Sequence, residues 1–183
     1  RGLHGWPGVL SQILKRLPAD FPMGLLIVQH MSEGFMPGLV EWLSREVRLS
    51  IQLACEGDLV KPGLALMAPE GSHLVVQQSG RARLRQALPV GGHRPSADVL
   101  LHSVAAIYGE AAIGVLLTGM GRDGAEGLRA IRDAGGYTIV QDEERDAVFG
   151  MPKAAIDLGA AQEVLPPSGI AERLIHLARC SIS

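Results

Sequence analysis

The chain has little cysteine, few aromatic residues and no long apolar run. Its 183 residues include two cysteines and 4% aromatic side chains. Cys55 and Cys180 form no metal-ligand spacing. Without a recognisable signal peptide we expect two free thiols in a reducing cytoplasm, and the sequence leaves a bridge between them open. No apolar run approaches the length of a bilayer span. These absences give no sign of a metal site and predict a cytoplasmic location without membrane insertion.

An excess of charge of either sign is also missing. The formal net charge is −2 and the isoelectric point is about 6.3, so the chain has no electrostatic footprint for nucleic acid or an anionic membrane. Hydrophobic residues make up 47% of the sequence, which is ample for the core of one domain over residues 1–183. The 23 glycines favour a loop-rich α/β fold over a helical bundle.

Apolar periodicity predicts helices that alternate with short buried strands. A helix begins at Pro7, and a strand at 25–28, a helix at 36–43 and a strand at 51–55 follow it. Later strands are predicted at 113–117, 137–140 and 163–165, and later helices begin near residues 97, 123, 152 and 170. This alternation favours right-handed crossovers between parallel strands. The sequence therefore predicts an α/β fold with a doubly wound, mostly parallel sheet in three layers.

The segment at about 57–90 has a different texture. Its short runs, at 64–67, 73–77 and 83–86, are broken by proline and glycine. We interpret this segment as an antiparallel hairpin insertion, with Ser79-Gly80 as a two-residue turn.

A glycine-rich turn with a carboxylate, Asp123, connects the strand at 113–117 to the next helix. In open parallel sheets, chemistry gathers at the carboxyl ends of the strands. Asp123 either caps the helix that follows it or takes part in that chemistry. The glycines could also cradle a phosphate, but the chain lacks the dinucleotide fingerprint and a P-loop lysine, so nucleotide binding is the weaker hypothesis.

His30 follows the strand at 25–28 and reaches the same predicted edge. A histidine oriented by a buried carboxylate is the general-base half of a catalytic triad. His30 is therefore a candidate catalytic residue, and ordinary packing is the alternative. His93 and Arg94 lie in a glycine-rich loop and are candidates for binding an anionic or carbonyl group of a substrate, with loop packing as the alternative. His73 falls in a hairpin strand and is expected to be structural.

Five motifs occur in a fixed order along the chain: LIVQHM at 26–31, GGHRPSADVL at 91–100, LTGMGRDG at 117–124, GYTIVQD at 136–142, and VFGMP with AAI at 148–156. Together they resemble the catalytic domain of bacterial protein-glutamate methylesterases, the CheB family. Each motif alone is a weak signal, whereas the joint match is specific.

The resemblance implies a serine hydrolase that removes methyl esters from glutamate side chains on cytoplasmic chemoreceptor helices and releases methanol. Related members also deamidate glutamine. By motif, His30 matches the catalytic histidine, Asp123 matches the triad aspartate, and Met120 matches a residue whose backbone amide helps to hold the oxyanion. The implied partners are methylated receptor helices and an upstream phosphorylatable receiver domain. The resemblance implies no cofactor, metal or nucleic acid.

The nucleophile motif of the family, Gly-(Ala/Ser)-Ser-Thr-Gly-Gly-Pro, is not met. Aligned on Pro7, the serine position falls on Leu3 and the threonine position on His4, and leucine cannot attack an ester. The first strand and the nucleophile turn are thus expected to be missing or altered at 1–6. A truncated or altered active methylesterase is favoured because every later motif is intact, and an inactive module that binds receptors or signalling partners is the alternative. Loss of a central strand predicts low stability or incomplete order near residues 1–6.

Overall fold

The computed structural model describes residues 6–143 and 148–181. These ranges contain six α-helices: α1 Trp6–Leu14, α2 Met36–Glu46, α3 Ala97–Tyr108, α4 Ala125–Asp133, α5 Gly150–Asp157 and α6 Pro167–Cys180. They contain eight β-strands: β1 Leu25–Ile27, β2 Ser50–Leu53, β3 Leu64–Met67, β4 His73–Val76, β5 Ala82–Arg85, β6 Ile113–Leu116, β7 Tyr137–Gln141 and β8 Glu163–Leu165.

Six of these strands form two parallel sheets, in the orders β2-β3-β1 and β6-β7-β8, and β4 pairs with β5 as an antiparallel hairpin. Alternate residues of β3 enter different cores. Ala65 and Met67 pack with α1, α2 and α6, whereas Leu64 and Leu66 pack with the hairpin and α3. Since side chains of a strand alternate between its faces, helices cover both faces of this sheet. The predicted three-layer, mostly parallel α/β fold is confirmed.

The extent of the predicted hairpin insertion needs correction. Residues 64–67 are the central strand of the first sheet, because β3 pairs in parallel with β1 on one side and β2 on the other. All four residues of β3 are buried, which is typical of a strand covered on both faces. The hairpin turn is also longer than predicted. Gln77 and Arg81 are bonded through their backbones, so residues 78–80 form a three-residue loop, with Gly80 at φ 72°.

An apolar cavity separates the edge strands β1 and β6 of the two parallel sheets. Among the described residues, β1 pairs only with β3 and β6 pairs only with β7, so each sheet presents a free strand edge. A cavity of about 390 Å³ lies between these edges. Its lining includes Leu25 and Ile27 of β1 and Ile113 and Val115 of β6, together with side chains of α1, α3 and α6. The cavity thus has the surroundings of a strand position in the middle of one continuous sheet.

Helices α3 and α4 meet closely at Gly127. A Cβ atom on Gly127 would lie 2.6 Å from the Leu101 Cβ and 3.0 Å from the Asp98 Cα. This approach lets the Gly127 N–H donate a 2.7 Å hydrogen bond to Asp98 Oδ1, which fixes the start of α3 against α4. No helix within the described ranges combines the length and apolarity that a bilayer crossing requires.

Candidate active site

His30 and Asp123 meet at the carboxyl edge of the sheets. His30 lies three residues after β1 ends, and Asp123 lies between β6 and α4. Their side chains are 16% and 3% exposed, and His30 Nε2 is 2.8 Å from Asp123 Oδ2. The Nε2–H bond is not aimed straight at the oxygen, so the contact is a close polar pair rather than a linear hydrogen bond. The structure thus brings together the two residues that the sequence placed at separate strand ends.

Asp123 is held by the first turn of α3. Its Oδ1 accepts hydrogen bonds from Ser96 Oγ at 2.7 Å and from the Asp98 N–H at 3.1 Å, and its Oδ2 accepts one from the Ala97 N–H at 2.7 Å. The alternative that Asp123 only caps the helix after it is wrong, since the N-cap of α4 is Gly124 and has no side-chain hydrogen bond. Asp123 caps the neighbouring helix, whose exposed amides favour an anion.

These contacts keep Asp123 ionised. Burial alone would raise the pKa of Asp123, but the His30 side chain beside it, the Ser96 hydroxyl and the Ala97 and Asp98 amides outweigh burial and lower it to about 2. The carboxylate is therefore negatively charged at neutral pH and stabilises a positive charge on His30. Asp98, which faces the same helix start, has its pKa raised, mainly by burial and also by the negative charge of Asp123.

The orientation of His30 assigns roles to its two ring nitrogens. Nε2 faces the carboxylate of Asp123, so Nδ1 is the nitrogen available to accept a proton. A buried carboxylate beside one ring nitrogen fixes the neutral tautomer and stabilises the imidazolium that forms at the other. The arrangement can therefore act as a general base for a hydroxyl placed beside Nδ1.

His93 joins the pair, whereas Arg94 does not. The His93 ring stacks on the His30 ring, with centroids 4.0 Å apart and planes 12° from parallel. Arg94 is exposed, and its guanidinium donates a hydrogen bond to the Ala87 carbonyl at 3.1 Å. Among the described residues Arg94 therefore supports the loop backbone. Its predicted substrate contact, like that of His93, stays a prediction.

Ser96 is the N-cap of α3, a role typical of a serine before a helix, and it has a second role that the sequence did not indicate. Its hydroxyl accepts from the Val99 N–H at 3.4 Å and also donates to Asp123. His73, a strand residue 1% exposed, accepts the Ser96 N–H at Nδ1, and its Nε2 is 2.9 Å from the Leu88 carbonyl oxygen. His73 thus fixes the backbone of Ser96 through this hydrogen bond, in agreement with a structural role. The available signals were the cap position and the buried strand, and neither reveals the contact with Asp123.

Met120 lies in the loop between β6 and Asp123. The backbone of the preceding Gly119 makes two hydrogen bonds. Its N–H donates to the Val148 carbonyl, and its carbonyl accepts from the Met151 N–H. Met120 is 67% exposed, and its backbone N–H donates to no residue that the structure describes. The oxyanion role of Met120 stays a prediction that this loop geometry permits.

The predicted nucleophile turn lies outside the described residues at Leu3 and His4, and so does most of the segment 1–6 for which disorder was predicted. Within residues 6–143 and 148–181, no group of three or more histidine, cysteine, aspartate or glutamate side chains could hold a metal ion.

The fold and the His30–Asp123 pair define the class of protein: an α/β domain that carries a largely buried histidine–aspartate pair at the carboxyl edge of its parallel strands. The family description "CheB methylesterase" matches residues 4–174. The chain belongs to the CheB methylesterase family, as its motifs indicated.

Individual relatives agree with this assignment. The chain is 51% identical over 175 residues to the protein-glutamate methylesterase/protein-glutamine glutaminase 2 of Anaeromyxobacter dehalogenans, covering 96% of this chain and 51% of that protein. It is 47% identical over 172 residues to the protein-glutamate methylesterase FrzG of Myxococcus xanthus, covering 94% and 52%. The crystal structure of the Thermotoga maritima CheB methylesterase catalytic domain superposes with a TM-score of 0.90 at 39% identity, covering 95% of this chain and 94% of that one. The chain thus spans about half the length of these curated relatives and nearly all of the catalytic domain.

Proposed function

We propose that this chain is the catalytic part of a protein-glutamate methylesterase, which hydrolyses glutamyl methyl esters on the cytoplasmic helices of chemoreceptors and deamidates glutamine side chains there. The observation that carries the proposal is the ionised Asp123 beside His30 in a chain of this family. The names of the relatives support both activities. An upstream receiver domain is part of the proposal as the regulator of the catalytic part.

The proposed reaction is a two-step acyl transfer. A serine hydroxyl gives its proton to His30 Nδ1 and attacks the ester carbonyl, and Asp123 stabilises the resulting imidazolium. Backbone donors, with the Met120 N–H among them, bind the tetrahedral oxyanion. His30 then returns the proton to the departing methoxide, which leaves as methanol. Water attacks the acyl-enzyme by the same route and frees the glutamate carboxylate.

The proposed serine belongs to a strand that fills the cavity between β1 and β6. Both facing edges are parallel strands, and the cavity lining is apolar from both helical layers. A parallel strand in this position would end at the same edge as His30 and Asp123, because the carboxyl ends of parallel strands lie together. It would also precede α1 in the usual strand–helix–strand order, with β1 following. No strand within residues 6–143 and 148–181 fills this position, so we propose that it comes from a part of the protein outside these described ranges.

A second candidate function rests on Leu3, which occupies the serine position of the family motif. A chain without a nucleophile would bind methylated receptor helices, or other signalling proteins, without turnover. The intact His30–Asp123 pair argues for the enzyme, since a module that only binds does not need both residues in place.

The test compares the 183-residue chain with the same chain extended upstream by its own natural residues. Methanol release is measured from methylated chemoreceptor fragments, and binding of the same fragments is measured separately. Turnover is expected in the extended protein, with a loss of about 10³-fold or more in its His30→Ala variant. His176→Ala is the matched control, because His176 is exposed on α6.

Two outcomes would contradict the proposed mechanism. An extended protein that binds receptor fragments but releases no methanol favours the binding module. Turnover that survives His30→Ala would show that the reaction does not use the proposed base. Turnover by the 183-residue chain itself would contradict the strand assignment and place a nucleophile within these 183 residues.

A further inference from the structure

The stack between the His93 and His30 rings is a contact of the site that the proposed mechanism leaves unused. Their ring centroids are 4.0 Å apart and the planes are within 12° of parallel. His93 is partly buried on the loop that precedes α3, and its backbone is fixed by two hydrogen bonds with Val90, of 3.0 and 2.9 Å. A ring anchored in this way limits how far the ring stacked on it can tilt or turn.

His30 is therefore held on two sides. Asp123 lies at the Nε2 edge of its ring, and His93 covers one face. The segment that supplies His93 also supplies Ser96, Ala97 and Asp98, which hold the Asp123 carboxylate. One stretch of six residues, 93–98, thus sets both the carboxylate and the ring plane of the general base.

We propose that His93 is a positioning residue that acts through His30. By covering one face of the imidazole it keeps the Nε2 edge on Asp123 and therefore keeps Nδ1 aimed at the nucleophile position. A general base works only within hydrogen-bond reach and alignment of the proton that it takes, so freedom of the His30 ring lowers turnover. His93 needs no contact with the reacting atoms for this role.

A second consequence concerns the charged form of His30. The face of an aromatic ring attracts a cation stacked on it, so the His93 ring supports the His30 imidazolium that forms during the proposed reaction. Titratable groups near the pair within residues 6–143 and 148–181 include Asp123 at the His30 edge, Asp98 at the start of α3, and His73 of β4, which accepts a hydrogen bond from the Ser96 N–H. Phenylalanine at position 93 would preserve the stacked aromatic face.

The first test uses NMR on the 183-residue chain and needs no catalysis. Cross-peaks between the ring protons of His30 and His93 are expected in the unmutated chain. In His93→Ala the ring-proton signals of His30 are expected to lose their ring-current displacement and broaden as the ring gains freedom, whereas His93→Phe retains the displacement. His176→Ala is the control that leaves the His30 signals in place. Absence of the cross-peaks, or an unchanged His30 in His93→Ala, would overturn the stack.

The second test uses the upstream-extended protein and rests on the proposed function. His93→Ala is expected to lower kcat about tenfold, which is part of the 10²–10⁴-fold that a general base contributes, with KM unchanged within about twofold. His93→Phe is expected to restore kcat. A raised KM with unchanged kcat would make His93 a substrate-binding residue and overturn the proposal. Absence of turnover in the unmutated extended protein would instead contradict the proposed function, and the NMR test alone then decides the role of His93.

Discussion

The Asp123 carboxylate accepts a 2.7 Å hydrogen bond from the backbone N–H of Ala97, so a residue placed by one strand–helix unit caps the helix of another. Asp123 follows β6 and precedes α4, while Ala97 begins α3. The amides at a helix start lack partners within the helix and attract negative charge. The same carboxylate thus caps α3 and lies against His30, which couples the stability of the fold to the proposed general base.

The first prediction is that ionised Asp123 stabilises the folded chain and that this contribution to the free energy of unfolding is lost in acid. Its folded-state pKa is lowered from 3.8 to about 2, so its contribution is fully present above the unfolded pKa and is lost as pH falls from about 4 to about 2. The contribution is about 2 kcal/mol of unfolding free energy. Urea unfolding at pH 6, 4 and 2.5 should show Asp123→Asn less stable than the unmutated chain at pH 6, with the difference shrinking as pH falls.

The control for Asp123→Asn is Asp133→Asn. Asp133 is 62% exposed in a surface pair with Arg129, and such pairs contribute little, so its unfolding curves should follow those of the unmutated chain. A constant difference between Asp123→Asn and the unmutated chain at all three pH values would contradict the assigned ionisation.

The ends of strands were the part of the site that the sequence made predictable. His30 and Asp123 each follow a short apolar run, and the rule that carboxyl ends of parallel strands share an edge places both in one region. The contact of Asp123 with Ser96 is different in kind. It depends on how α3 packs against α4 at Gly127. Ser96 and Asp123 are 27 residues apart in the sequence, and local periodicity carries no information on a contact at that separation.

The misplacement of residues 64–67 has a similar physical origin. Pro62-Gly63 before the run and Pro69 after it are typical of hairpin boundaries, and a four-residue apolar run has no periodicity that separates a parallel from an antiparallel strand. Only the pairing of β3 with β1 and β2 decides the question. The cavity between β1 and β6 likewise appears only once both sheets are in place.

The second prediction concerns Asp98, whose pKa is raised mainly by burial. A group with a raised folded-state pKa favours folding most below its unfolded pKa, and this advantage is lost as pH rises through the folded pKa. Asp98→Asn keeps an acceptor for the Gly127 N–H, which now bonds Asp98 Oδ1 at 2.7 Å. We expect Asp98→Asn to be at least as stable as the unmutated chain at pH 7, with the smallest difference near pH 3.

The matched variant at this position is Asp98→Ala, which removes the acceptor as well as the charge. It is expected to be about 1 kcal/mol less stable than Asp98→Asn, since the Gly127 N–H loses its partner. Thermal melts of the three proteins at pH 3 and pH 7 measure both effects. Equal stability of the two variants would show that the Gly127 hydrogen bond carries no net weight.

The third prediction is that the Glu70 side chain caps and stabilises the start of α2. The Glu70 carboxylate accepts from the Gly34 N–H at 3.0 and 2.8 Å and from the Met36 N–H at 3.1 Å, while the local N-cap Phe35 gives no side-chain hydrogen bond. The amides of Gly34 and Met36 lower the pKa of Glu70, so its contribution is present above the ordinary glutamate pKa and is lost in acid.

At neutral pH, Glu70→Gln should therefore speed amide hydrogen exchange at Gly34 and Met36 and lower the Tm of the protein. Glu41→Gln on the same helix is the control, because Glu41 is exposed and pairs only with Arg45 within the described ranges. Acceleration of exchange throughout α2 in both variants would indicate general helix fraying rather than loss of a cap.

The fourth prediction tests whether the loop that carries Met120 is held by close backbone contact with α5. A Cβ atom on Gly150 would lie 3.0 Å from the Gly119 carbonyl oxygen and 3.1 Å from the Gly121 nitrogen, so Gly150→Ala must displace this loop. Overpacking of this kind costs about 1–3 kcal/mol, and a displaced loop misplaces the proposed oxyanion donor. We expect kcat for methanol release by the upstream-extended protein to fall at least about tenfold, with KM changed less.

Gly38→Ala is the control for Gly150→Ala, because it makes the same substitution at a site without a close contact. Gly38 lies in α2, and a Cβ atom there meets nothing within 4 Å, so alanine should stabilise the chain by about 0.5–1 kcal/mol and leave kcat unchanged. If Gly150→Ala instead melts at the same temperature as the unmutated chain and retains kcat, the 119–121 loop is free to shift without loss. In that case its present position cannot be what places an oxyanion donor, and the assignment of Met120 would have to be abandoned.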